Sequence, residues 1–293
     1  MSSEKNLSYI KLIGSMLIFG TIGIFRRYIP LPSATLAFAR GILGAAFLLC
    51  FLKLKGKSIR NGTSRKTVFM LALTGVMIGI NWILLFEAYN YTTVATATLC
   101  YYMQPTIVIL LSPLVFREKL TAKKLICAAL AIVGMVFVSG IADDGGAGIS
   151  DPKGILVGLG AAAFYSAVVI MNKRFPVDDA YEKTVIQLSS AAIVLIPYLL
   201  LTGGFAVSGL NAVAIIMILV VGIVHTGFAY ALYFGSMNAL PAQSIAVLSY
   251  IDPVSALILS ALILHESMTV WGIIGAVLII GSALISELEP RRK

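Results

Sequence analysis

Asp252 stands near the middle of a long apolar stretch, about twelve residues from either end. A carboxylate at the centre of a bilayer costs roughly 2.5–3.5 kcal/mol on insertion scales, so it must face other helices or water rather than lipid. That position suits binding a cation or carrying a proton, and a hydrogen bond to a neighbouring helix is the competing structural role. Other polar groups share apolar stretches: Gln104, Asn81, Glu87, His225 and Arg40. His225 is either a titrating group or a satisfied packing residue. Glu87, close to a span end, suits an interfacial role or proton coupling. Arg40 either snorkels to the outer surface or neutralises Asp252. Aromatics supply a second set, for Trp82, Phe86 and Tyr89 recur at helical spacing, as do Thr226, Tyr230 and Tyr233. These stripes suit packing or a cavity wall, and Tyr101, Tyr102, Tyr165 and Tyr250 add hydroxyls to the same set.

Motifs of other chemistries fail on spacing. Gly56-Lys57-Ser58 resembles the end of a phosphate-binding loop, but Phe51 occupies the first glycine's position and no strand precedes it. His265-Glu266 lacks the second histidine of a zinc protease, since Thr269 stands there. Cys50, Cys100 and Cys127 show neither metal-binding spacing nor the even count of a disulfide framework. No metal, cofactor or enzymatic role is expected.

The elements that position these residues must cross a membrane. Of the 293 residues 59% are hydrophobic and 12% charged, and the mean hydropathy is +0.97, outside the range of soluble domains. The net charge of +9 lies in short segments between apolar runs, not in a patch that would bind nucleic acid. Cutting at clusters of charge, Gly, Pro and Asn predicts ten spans near 9–28, 33–52, 67–90, 93–116, 121–141, 154–173, 183–203, 211–235, 240–264 and 268–288. With the N-terminus cytoplasmic, eighteen of twenty-two Lys and Arg fall inside, three outside (Arg26, Arg27, Lys153), and Arg40 within a span. The expectation is an all-α integral membrane protein of the cell membrane, multi-pass, with both termini cytoplasmic.

A shift of 148 residues aligns 79–132 with 227–280 without a gap and with fifteen identities. Among them are Tyr102 with Tyr250, Pro105 with Pro253, and Glu118 with Glu266. Each half has an odd number of spans, so the two lie with opposite orientations: ten transmembrane helices as two inverted five-helix repeats, 1–141 and 154–293, joined by an external link at 142–153. Pro105 and Pro253 are expected to bend spans four and nine near their middles, freeing the carbonyls of Tyr101 and Ser249. Glu118 and Glu266 end those spans and are expected to stabilise the turn and the start of the following helix. Gly75-x-x-x-Gly79 and Gly154-x-x-x-Gly158 read as close helix packing, while a homodimer stays open.

The repeated aromatic-x-x-Pro followed thirteen residues later by Glu, at Tyr102 to Glu118 and Tyr250 to Glu266, resembles the EamA-type branch of the drug/metabolite transporter superfamily. The resemblance implies transport of small metabolites, often amino acids or related compounds and often outward. The expected function is secondary export of a small polar or amphipathic metabolite by alternating access, with proton coupling open. Asp252, Gln104, Asn81, Trp82, His225, Tyr230, Tyr101, Tyr102 and Tyr250 are the expected substrate-binding residues. Asp252, Glu87, His225 and Arg40 are the candidates for coupling, and Pro105, Pro253, Glu118 and Glu266 are structural. An importer or exchanger is the alternative within transport. An intramembrane enzyme would need a second mid-span carboxylate beside Asp252, and a non-transporting scaffold leaves Asp252 unexplained.

Overall fold

Backbone groups inside hydrocarbon must be satisfied within their own segment, which leaves helices as the economical way for these apolar stretches to cross. The computed structural model describes residues 2–56, 64–116, 120–138, 152–174, 180–205, 209–237, 240, 248–266 and 268–287. Among them there is no strand. The helices are α1 (Ser2–Gly20), α2 (Ile22–Arg27), α3 (Ser33–Leu54), α4 (Arg65–Tyr91), α5 (Val94–Tyr101), α6 (Gln104–Phe116), α7 (Ala122–Val138), α8 (Pro152–Arg174) and α9 (Ala180–Thr202). Then follow α10 (Ala212–Val220), a π-helical segment (Val221–Phe228), α11 (Ala229–Met237), α12 (Ile251–Ile263) and α13 (Val270–Glu287).

Among the described residues, seven stretches are long and apolar enough to cross a membrane: Lys5–Arg27, Ser33–Leu54, Arg65–Tyr91, Val94–Val115, Pro152–Asn172, Tyr181–Thr202 and Ala212–Tyr233. Ile251–Ile263 and Val270–Ser282 are apolar but shorter, and α7 has 17 residues. The expected span at 240–264 is helical over Ile251–Ile263, and its residues 241–247 lie outside the described residues. So do the loop at 57–63, Glu118 and most of the link at 142–153. Leu114, Leu125, Leu201, Ile216, Leu262 and Val270 remain exposed. Surfaces of that kind are stable against lipid and unstable against water.

Helices α3, α4 and α9 form the main core, with Leu36, Leu48, Phe86, Leu188 and Ala191 buried between them. Helix α4 also packs along α8, α3 along the π segment, and α1 along α11 and α12; α5 and α6 pack on α8, and α7 on α13. Gly75 permits one of these approaches, since a Cβ there would lie 2.3 Å from the Gln187 carbonyl oxygen of α9. The small-residue spacing on α4 thus serves helix packing within the chain.

Three of the long stretches are interrupted. Lys5–Arg27 breaks at Thr21 between α1 and α2, Val94–Val115 breaks at Tyr102–Met103 between α5 and α6, and Ala212–Tyr233 widens into the π segment. The mid-span bends expected at Pro105 and Pro253 take the form of breaks, with a new helix starting just before each proline, at Gln104 and Ile251. Pro105 falls in the first turn of α6 and Pro253 in the first turn of α12, where the missing N–H costs no intrahelical bond. Prolines inside helices occur elsewhere, at Pro113 and Pro197. Proline's effect depends on the register of the helix around it, which apolar patterning alone does not reveal.

Candidate functional site

The breaks between α1 and α2 and between α5 and α6 border one cavity of about 420 Å³, within the roughly 300–1,000 Å³ typical of small-molecule sites. Its wall comes from α1, α2, α3, α4, α5, α6, α8, α9, α11 and α12, with Tyr89 and Val94 toward one end and Asn172 and Lys183 toward the other. Of the expected binding residues, Asp252, Gln104, Asn81, Trp82, Tyr230, Tyr101, Tyr102 and Tyr250 all line it, as do Tyr165, Tyr233 and Arg40.

Asp252 is in the first turn of α12 and half-buried. The first turn of a helix tolerates Pro253 and favours the carboxylate of Asp252, which lies at the positive end of the dipole. The Tyr102 hydroxyl donates to Asp252 Oδ2, which joins the break between α5 and α6 to the start of α12. Tyr102 and Tyr250 meet with ring centroids 6.4 Å apart. Gln104 lies in the first turn of α6 as Asp252 does in that of α12, and its backbone carbonyl accepts from Ser166 Oγ at 3.1 Å. Asn81 is buried, and its amide donates to the Ala161 carbonyl at 2.7 Å, so one face of this side chain serves the contact with α8.

The aromatic stripe on α4 divides. Trp82 and Tyr89 line the cavity, whereas Phe86 is fully buried behind them. On the opposite wall Tyr230 and Tyr233 face inward, and Trp82 meets Tyr230 edge to face at 6.3 Å. Thr226 is buried and supports Arg40 rather than lining the cavity.

Arg40 follows neither course expected of it. It is 3% exposed and does not snorkel. Among the described residues no ion pair joins it to Asp252. Its Nε donates to Thr226 Oγ1 at 2.9 Å, and its guanidinium carbon lies 4.2 Å from the centroid of Trp82. Neighbouring α4 and the π segment hold the stem in the protein interior, so the charge cannot reach a membrane surface.

His225 and Glu87 lie outside the cavity wall. His225 is buried in the π segment with Nε2 2.7 Å from Thr21 Oγ1, Nδ1 3.3 Å from the Val220 carbonyl oxygen, and its ring against Phe25 at 4.8 Å. The extra residue of the π turn shifts the helical register and turns this side chain toward α2. Glu87 accepts from Ser33 Oγ at 2.9 Å, Asn90 Nδ2 at 3.1 Å and the Tyr91 hydroxyl at 3.1 Å, a satisfied cluster near the end of α4.

Glu266 stabilises a helix start, but not that of the next helix in sequence. It accepts from Arg27 Nη2 at 2.6 Å, from the Val94 and Ala95 amides at 3.4 Å each, and from the Ser260 hydroxyl. The helix it serves is α5. Its expected partner, the following helix, is capped by Thr269, whose Oγ1 accepts from the Gly272 amide at 3.0 Å.

Sequence reading missed Gly20, Thr98, Asn172 and Lys183, all on the cavity wall. Asn172 lies near the end of α8 and Lys183 near the start of α9. Gly20 is the crossing point of α1 and α12: a Cβ there would lie 2.0 Å from Ser255 Oγ and 2.9 Å from the Asp252 carbonyl oxygen. Ser255 can rotate away, but the backbone of the Asp252 turn cannot. Gly20→Ala is therefore expected to lower stability by about 1–3 kcal/mol, and adding Ser255→Ala to recover only part of it, as measured by thermal unfolding in detergent.

The sequence model of the EamA-like transporter family matches residues 6–140 and again 152–287. A protein named "Uncharacterized transporter YxxF" from Bacillus subtilis is 31% identical over 295 residues, covering 100% of this chain and 93% of its own. One named "Uncharacterized transporter" from Archaeoglobus fulgidus is 25% identical, covering 95% of both. A solved structure superposes with a TM-score of 0.67 over 97% of each chain at 18% identity, a likeness of fold. A multi-pass helical membrane protein, with a cavity at its broken helices and the family's model matched in each half, belongs to the EamA-like transporter family.

Proposed function

We propose that the chain is a secondary transporter that exports a small polar or amphipathic metabolite by alternating access through the cavity at Asp252. The observation that carries this reading is a half-buried carboxylate at the start of a broken helix, facing a chamber of substrate size. Interrupted helices with midplane polar groups are how secondary transporters expose backbone and charge to a solute without exposing them to lipid. Asp252 binds the substrate's cationic group or a coupling proton, and Tyr102 orients it.

Ten spans in two inverted repeats, 1–141 and 154–293, with both termini cytoplasmic, supply the motion. Three observations support that architecture. The family model matches once in each half. The helix pairings keep their pattern when the halves are exchanged, for α3 on the π segment mirrors α4 on α9, and α7 on α13 mirrors itself. Repeat mates also touch one another, Tyr102 with Tyr250 and Trp82 with Tyr230, as residues beside a two-fold axis must.

Purified protein in proteoliposomes, screened with labelled amines, amino acids and nucleobases, tests the reading. Saturable flux of at least one of them, above that of protein-free vesicles and lost on Asp252→Asn, is the expected result. Flux indistinguishable from that of protein-free vesicles for the whole panel contradicts it. Initial rates from oriented vesicles loaded inside or outside separate export from import.

A further inference from the structure

Arg40 is more than nine-tenths buried and lines the cavity. A guanidinium carries five donors in a rigid planar fork and stays charged at any working pH. One donor is committed here, because Nε meets Thr226 Oγ1 at 2.9 Å. Thr226 can accept it because its own hydroxyl donates to the Val221 carbonyl five residues back, at 2.8 Å, a reach set by the π turn. One face is also committed, lying 4.2 Å from the Trp82 centroid, with Phe86 at 5.3 Å. The four terminal N–H groups have no acceptor, and no carboxylate is paired with the charge, among the described residues.

Burying a cation without a counter-ion is unfavourable. A purely structural arginine would be expected to pair with the carboxylate in the same chamber. Arg40 and Asp252 instead stay apart, and Tyr89 and Tyr230 stand within electrostatic reach of both. Each charge is available for a ligand.

We infer that Arg40, fixed by Thr226 and stacked on Trp82, is a carboxylate-binding subsite, so the substrate places an anionic group there and its cationic group at Asp252. This rests on the cavity being the transport site. A single fork matches a planar monoanionic carboxylate, whereas a dianionic phosphate would leave one charge unneutralised in a chamber that already holds Asp252. Trp82 and Tyr230 favour an apolar or aromatic body between the two charged ends.

Phenylalanine, phenethylamine and 3-phenylpropionate share one aromatic body and carry both charges, the cation alone and the anion alone. Titration of purified protein can follow Trp82 fluorescence in a Trp271→Phe background, since the chain has two tryptophans. Phenylalanine is expected to bind about tenfold or more tighter than phenethylamine, the ratio one charge-assisted contact sustains. Arg40→Gln should abolish the ratio, and Thr226→Val, which keeps the charge but loses its anchor, should reduce it. Equal affinities in the wild type, an unchanged ratio in Arg40→Gln, or no binding of any probe overturns the inference. If phenethylamine binds in an Asp252-dependent manner and the carboxylate adds nothing, the carboxylate subsite fails while the transport site stands. If solute flux is also absent, both fail.

Discussion

Asp252→Asn is expected to lower transport by about 100-fold, with the folded protein intact. Asparagine is nearly isosteric and keeps an acceptor for the Tyr102 hydroxyl, so the packing at the start of α12 survives. The charge is what disappears. Removing one partner of a buried, hydrogen-bonded charge pair costs about 2–5 kcal/mol, and each 1.4 kcal/mol is tenfold. Any pH dependence of flux that arises from a proton on Asp252 should vanish with the same substitution. Initial rates in proteoliposomes, beside a thermal unfolding curve of the same preparation, check both statements. A variant that folds and transports at the wild-type rate with the wild-type pH profile would remove Asp252 from the mechanism.

Glu266→Ala is expected to destabilise the protein by about 2 kcal/mol and to bias the cavity toward opening at that end. The carboxylate ties Arg27 at the end of α2, the first amides of α5 and Ser260 of α12 into one cluster. Loss of a helix-start acceptor costs about 1 kcal/mol. The Arg27 pair contributes less, about 0.5 kcal/mol, because Arg27 is 43% exposed and its charge is screened. Arg27→Ala should therefore cost much less than Glu266→Ala, a ranking that thermal unfolding of the two variants reads directly. Glu266→Asp, which shortens the reach to the α5 amides, should fall between them. In alternating access this cluster must break whenever the cavity opens toward it, so the same variants should label faster at cavity residues from that side.

Much of this is legible in the sequence because a bilayer imposes simple rules. Apolar stretches have to be helices, and Asp252 cannot face lipid. The cavity collects most of the polar and aromatic residues that a mid-span position singles out, from Asn81 and Trp82 to Tyr250 and Asp252. What stays hidden is rotation and reach. His225 sits near mid-span, yet a π turn directs it to Thr21 and Phe25. A hydropathy pattern contains no signal for the one extra residue in that turn. Arg40 reads as a charge to be neutralised or withdrawn, but its partners are the hydroxyl of Thr226 and the face of Trp82, and neither interaction has a sequence spacing. Glu266 serves a helix start, but the start lies 172 positions away at Val94. The prolines illustrate the same gap, since Pro105 and Pro113 are eight positions apart on one apolar run, yet one falls in the first turn of α6 and the other in its interior.

Transport by this route requires the cavity to face each side of the membrane in turn, and site-directed alkylation reads that exposure. Ser249 lines the cavity, and Ser249→Cys is a small change that places a thiol on its wall. The background is free of Cys50, Cys100 and Cys127, all unpaired thiols. A membrane-impermeant maleimide is applied from one side or the other in right-side-out and inverted vesicles. The introduced thiol is expected to be labelled from both sides, and Glu266→Ala to shift the two rates in opposite directions. Labelling from one side only, with Glu266→Ala changing neither rate, would contradict alternating access through this cavity.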